Sequence, residues 1–125
     1  MAANPVLASY LSIFRSLPSN QRFTEGATIF SEGDAGDTMF VLLEGDVRIE
    51  INGKLVSKLH TADIFGEMAL VDGSPRSATV IADTDCNLAV IDEKRFEEMI
   101  RDTPYFYKHL LHLLADRLRS RDRDS

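Results

Sequence analysis

Leu7, Tyr10, Leu11, Phe14 and Leu17 recur at helical spacing and predict a helix over about residues 4–17. Asn4-Pro5 starts it well, because Asn caps and Pro is preset for the first helical position, and Pro18 stops it. From about residue 21 the pattern turns to short alternating runs. Val47, Ile49 and Ile51 alternate with Asp46, Arg48 and Glu50, the signature of a strand buried on one side. Asn52-Gly53 is a strong hairpin signal and folds Leu55–Leu59 back on that strand. Thr28–Phe30, Met39–Leu43, Ala78–Ala82 and Leu88–Ile91 read as further strands. So many short strands favour a sandwich or barrel of jelly-roll type.

After Ile91 the helical period returns. Asp92 is placed to cap a helix whose inner face is Phe96, Met99 and Ile100. Thr103-Pro104 opens a second helix, with Tyr107, Leu110, Leu111, Leu114 and Leu118 expected inward. From Arg119 arginine alternates with aspartate, which predicts a frayed tail. The expected fold is mainly β with flanking α: a jelly-roll barrel over about 21–91 and C-terminal helices over about 92–120. All of it belongs to a single domain, 1–125, with no repeat, low-complexity segment or linker.

Composition narrows the function. A chain of 125 residues with 44% hydrophobic and 27% charged positions builds one real core. Its net charge of −6 argues against nucleic acid as a partner, since phosphate neutralisation needs a basic face. An anion site in so acidic a protein has to be built locally. Cys86 is the one cysteine, so an intrachain disulfide is impossible, which suits a cytoplasmic location. No basic region precedes an apolar block at the N-terminus, so no signal peptide is expected. No apolar run reaches the ~18 residues that span a bilayer, so no membrane role is expected.

One segment carries the chemistry. Residues 65–80 read F-G-E-M-A-L-V-D-G-S-P-R-S-A-T-V. A strand end runs into Gly66, Glu67 follows at once, and Met68–Val71 suggests a single helical turn. The loop Asp72-Gly73-Ser74-Pro75 then delivers Arg76 before another strand. Gly66 lets backbone approach closely, and the free N–H groups of a short helix attract an anion. Arg76 can fork onto two phosphate oxygens, and Glu67 can accept from a sugar hydroxyl. Ser77 Oγ and the Ala78 N–H lie where a second phosphate oxygen would sit. The set fits a small molecule with one phosphate and one ribose edge.

This segment resembles the phosphate-binding cassette of the cyclic nucleotide-binding domain family. The resemblance extends over about Phe23–Arg119 through Gly26, Gly33 in S-E-G-D-A-G-D, and Gly45 in M-F-V-L-L-E-G-D-V. One departure is Ala62-Asp63, where the family usually carries Gly-Asp; if that position needs positive φ, Ala62 costs on the order of 1 kcal/mol. The resemblance implies a non-enzymatic, ligand-sensing module that binds cAMP reversibly, with cGMP as the alternative and no cofactor. Ligand-binding residues are then Gly66, Glu67, Met68, Ala69, Arg76, Ser77 and Ala78. Without ligand, Arg76 is expected to face solvent. The Leu110–Leu118 face is expected to close over the base, and an effector protein or domain to read the change. The relatives that act on transcription carry a helix-turn-helix after the barrel; no such motif, kinase signature or channel segment is seen here.

Blander readings compete at each position. Arg76 alone would as readily be a surface arginine or a partner of Asp72, and Glu67 equally suits the N-terminal end of the short helix through its dipole. Met68, Ala69 and Leu70 are more often core than contact. His109, His112 and Asp116 share a helix face, yet two solvated histidines fit as well, and His60 stands alone. Asp63 and Glu67 lie near no nucleophile, so acid–base catalysis has no support. The arginines from Arg117 are interleaved with aspartates, as on a solvated helix end. Cys86 reads as a small buried side chain. Two rival functions follow: a nucleotide-free protein-interaction barrel, to which only Ala62 points, and a metal-dependent jelly-roll enzyme, which the scattered histidines disfavour.

Overall fold

The computed structural model describes residues 14–16, 20–102, 108, 111, 112 and 115. The expected N-terminal helix is therefore seen only at Phe14 and Arg15, which are helical, with Phe14 fully buried. Most of the expected last helix, its inward residues Tyr107, Leu110, Leu114 and Leu118, and the frayed tail lie outside the described residues. Leu111, expected inward, is half exposed.

Among the described residues eight strands follow in chain order: β1 (Gln21–Phe23), β2 (Thr28–Phe30), β3 (Thr38–Glu44), β4 (Val47–Ile51), β5 (Lys54–Leu59), β6 (Ile64–Phe65), β7 (Thr79–Ala82) and β8 (Cys86–Asp92). The helical turn α1 (Met68–Val71) sits between β6 and β7, and α2 (Glu93–Asp102) follows β8. The chain divides into two compact units, the first ending at Glu93 and the second beginning at Lys94. Within α2, Phe96 and Met99 are buried and Ile100 half-buried, the face its spacing predicts.

The strands form two antiparallel four-stranded sheets, ordered β1-β8-β3-β6 and β2-β7-β4-β5. Each sheet pairs strands far apart in sequence, as a jelly roll requires. Their inner faces share one core. Phe40, Leu42, Phe65, Cys86 and Leu88 come from the first sheet, Val47, Val80 and Ala82 from the second. At about 1.5–3 kcal/mol for each large apolar side chain taken out of water, this core is what holds the sheets together. The Cys86 thiol points into it and donates to the carbonyls of Asp46 and Thr84, both at 3.2 Å. Burial pushes that thiol up from its ordinary pKa, keeping it protonated.

The hairpin forms where expected. Asn52 (φ 53°) and Gly53 (φ 76°) both take the left-handed conformation that a two-residue primed turn needs. The one-sided burial expected of β4 fades along it, from buried Val47 through half-buried Ile49 to exposed Ile51, because the strand runs out to the hairpin tip. β5 is an edge strand, and its Leu55 and Val56 are 55% and 54% exposed. Lys54 and Lys58 on the same strand are the kind of charge that discourages edge pairing.

Ala62 adopts φ 82°. It is the third residue of a turn closed by the Asp63 N–H on the His60 carbonyl at 2.9 Å, where type II geometry favours glycine. The turn is pinned twice more. The Ala62 N–H donates to the Leu42 carbonyl at 2.8 Å, and the Leu42 N–H to the Asp63 carbonyl at 2.9 Å. These bonds hold an alanine where the chain locally prefers none. Ala62→Gly is therefore expected to stabilise the protein by about 1 kcal/mol in urea unfolding; a loss of stability would show that the alanine methyl contributes more than the strain costs.

Candidate functional site

α1 begins where β6 ends. Gly66 makes the bend with φ 76°, and its backbone is crowded: a Cβ there would stand 2.7 Å from Arg76 Nη1. Glu67 follows, only 3% exposed and helical in backbone, with no side-chain cap on the turn. The carbonyl of Glu67 accepts from the N–H groups of Leu70 and Val71 at 3.0 and 3.1 Å, closing the single turn. As in any helix, the earliest N–H groups have no acceptor inside the helix itself. No residue of α1 is buried, and Met68 is 41% exposed. The competing core reading of Met68, Ala69 and Leu70 finds no support: the turn rides beside β3 with its apolar side chains half in water.

The loop that follows is tied to itself. Asp72 accepts from both the N–H and the hydroxyl of Ser74, and these bonds hold its carboxyl below the usual carboxylate range. Asp72 is thus occupied with its own loop rather than with Arg76. Arg76 is fixed first by its backbone. Its N–H donates to the Asp34 carbonyl and its carbonyl accepts from the Gly33 N–H, each at 2.8 Å, so the turn Ser31–Asp34 and the end of the cassette are stitched together.

The Arg76 side chain then turns inward. It is 7% exposed, which overturns the expectation that it faces solvent when no ligand is bound. Nη1 donates to the Gly66 carbonyl at 3.0 Å and Nη2 to Thr38 Oγ1 at 3.1 Å. The guanidinium carbon lies 4.2 Å from the centroid of the Phe30 ring and 5.7 Å from that of Phe40. Burial lowers the arginine's affinity for its proton, and the carboxylates of Asp37 and Asp34 oppose that effect. None of the ion pairs among the described residues includes Arg76. The direct contacts of this buried charge are neutral oxygens and aromatic rings, and the Asp34 and Asp37 carboxylates act on it without pairing with it.

The residues expected from the sequence are thus placed as follows. Gly66 and Arg76 touch, Glu67 is buried next to Gly66, Met68 and Ala69 open α1, exposed Ser77 and buried Ala78 follow the arginine. Phe30, Gly36 and Thr38 escaped the sequence reading. Each approaches Arg76 from a distant stretch of chain, and only the glycine in G-D-A-G-D hinted at a close approach. His60 Nδ1 lies 2.7 Å from Asp46 Oδ1 on the exposed surface. Among the described residues no cluster of three potential metal ligands occurs. No helix among them is long and apolar enough to cross a membrane.

The same architecture recurs in known proteins. The family of the cyclic nucleotide-binding domain matches residues 20–103. Rap guanine nucleotide exchange factor 3 of Homo sapiens is 39% identical over 79 residues, 62% of this chain but 9% of that protein. The CRP-like cAMP-activated global transcriptional regulator of Mycobacterium tuberculosis is 30% identical over 102 residues, 78% of this chain and 46% of the regulator. This chain therefore spans less than half the length of these relatives. Among solved structures, the Thermus thermophilus catabolite activator protein superposes with a TM-score of 0.78 at 28% identity, covering 98% of this chain and 59% of the other. The cAMP-bound EAL enzyme Bd1971 does so with a TM-score of 0.61 at 34% identity, covering 81% and 28%. With its two-sheet jelly roll and a family match running through both sheets and the cassette, the chain belongs to the cyclic nucleotide-binding domain family.

Proposed function

We propose that this domain binds cAMP reversibly and acts as the ligand-sensing part of a cytoplasmic regulatory protein, without a cofactor and without chemistry of its own. The observation that carries the reading is the buried Arg76 charge beside α1, whose direct hydrogen-bond partners are neutral oxygens and which forms no ion pair among the described residues. A cyclic phosphate brings one negative charge of matching size. Arg76 takes it with the first N–H groups of the Gly66–Ala69 segment, and Ser77 Oγ and the Ala78 N–H serve a further oxygen. Glu67 accepts from the ribose 2′-hydroxyl. The activation of the mycobacterial relative by cAMP favours adenine, and cGMP is the competitor to test, since Bd1971 has both a cAMP-bound and a cGMP-bound form. The effector is another domain or protein that responds to the occupied state.

Titration calorimetry with cAMP, cGMP and EDTA-treated protein tests this directly. A dissociation constant in the micromolar range or below is expected for cAMP, equivalent to about −8 kcal/mol, and EDTA should change nothing. No heat and no thermal shift at millimolar cAMP would sink the proposal. The role of Glu67 has its own check. A 2′-deoxy cyclic nucleotide should bind worse than cAMP, and the penalty should shrink in Glu67→Gln, where a charged acceptor becomes neutral. An equal penalty in both proteins would remove Glu67 from the ribose.

A further inference from the structure

We propose that Phe30 and Thr38 are positioning residues of the nucleotide site, holding the Arg76 guanidinium in its working place before any ligand arrives. The inference rests on the cAMP reading above. An arginine at the end of an exposed loop would ordinarily sample many rotamers, and ordering it on binding costs affinity. Here three separate segments fix it in advance. The guanidinium carbon lies over the Phe30 ring of β2, Thr38 at the start of β3 accepts from Nη2, and the Gly66 carbonyl accepts from Nη1.

The dock is itself firm. The Phe30 ring packs against Phe40 and Phe65 at centroid distances of 5.8 and 6.0 Å, and those two rings stack at 5.1 Å. Gly36 closes the remaining side: a Cβ there would fall 2.4 Å from Arg76 Nε and 2.5 Å from Cζ, so the arginine fits only because that residue has no side chain. Each terminal nitrogen of a guanidinium carries two N–H donors. The two bonds described use one on each, which leaves both prongs of the fork able to donate to phosphate oxygens. A cation laid over an aromatic face keeps its charge, and the ring adds attraction without competing for those donors. Phe30 and Thr38 are both half-buried at the ends of strands, and Phe30 joins the arginine to the core, against which it also packs.

The test uses the full chain and two readouts, cAMP affinity by calorimetry and the side-chain Nε–H resonance of Arg76 by NMR without ligand. Thr38→Val keeps the β-branched shape and removes the hydroxyl that accepts from Arg76; it should weaken cAMP binding about tenfold. Phe30→Leu should weaken it about three- to tenfold. In both, the Arg76 resonance should shift and lose order in the ligand-free protein. Thr38→Ser and Phe30→Tyr, which keep the hydroxyl and the ring, should behave like the parent. If Phe30→Leu does not fold, Thr38→Val decides. Unchanged affinity in Thr38→Val while the parent binds cAMP would overturn this inference alone. Weaker binding with an unchanged Arg76 resonance would overturn it too, since the effect would then bypass the arginine. Failure of the parent to bind cAMP would overturn it together with the proposed function.

Discussion

Arg76→Ala is expected to weaken cAMP binding by roughly two to four powers of ten and also to lower the stability of the ligand-free protein. The first effect follows from leaving a buried phosphate without its one full countercharge. Removing one member of such a pair typically costs about 3–5 kcal/mol, at ~1.4 kcal/mol per tenfold. Arg76→Lys should recover only part of it, because a point charge cannot fork onto two oxygens. The second effect follows from the burial of the side chain without ligand. Its loss leaves the Gly66 carbonyl and the Thr38 hydroxyl without a donor and uncovers the Phe30 ring. Together these should cost about 1–2 kcal/mol, tempered by relief from burying a charge. Calorimetry and urea unfolding of the same preparations separate the two. Unchanged affinity in a folded Arg76→Ala protein would mean that the phosphate is held elsewhere.

Gly45→Ala should be among the most damaging single-methyl changes in the barrel, at about 3 kcal/mol. Gly45 joins β3 to β4 with φ 95°, which already costs an L-residue about 1–2 kcal/mol. A Cβ there would also stand 2.4 Å from the Asp85 carbonyl oxygen, a backbone atom that cannot swing aside, and 2.9 Å from Cys86 Sγ. Overpacking of that kind adds about 1–3 kcal/mol. Gly26 provides the control, since it has φ 88° but nothing within 4 Å of its missing Cβ. Gly26→Ala should therefore cost only the backbone share, about 1 kcal/mol. Equal losses for the two in urea unfolding would show that the clash near Asp85 is relieved by movement of the β7–β8 turn.

What could be read from the sequence was whatever is encoded locally. The hairpin at Asn52-Gly53 and the single turn Met68–Val71 are each fixed by neighbours in the chain, and both lie where the residues say. Strand β1 was not singled out, because Gln21-Arg22-Phe23 is short and exposed and owes its form to pairing with Leu88, Asn87 and Cys86. The candidate cassette was legible as a string of residue types suited to a phosphate and a ribose. Its state without ligand was not. Burial of Arg76 depends on Phe30, Gly36 and Thr38, which no periodicity links to residue 76. Likewise, nothing in M-A-L-V says that β3 would leave that turn half in water, since apolar residues signal burial only when the tertiary structure supplies a surface to cover them.

The lone thiol of Cys86 gives the barrel a built-in clock for its own opening. Folded, it is protonated and shut between the sheets, with its S–H turned to the carbonyls of Asp46 and Thr84. An alkylating reagent can reach it only in molecules whose β8 end has come free, so the labelling rate counts those excursions one by one. Any ligand that binds the closed form must slow the count in proportion to its occupancy. Mass spectrometry of a single adduct would then follow ligand engagement in a crowded extract, with no dye and no engineered residue.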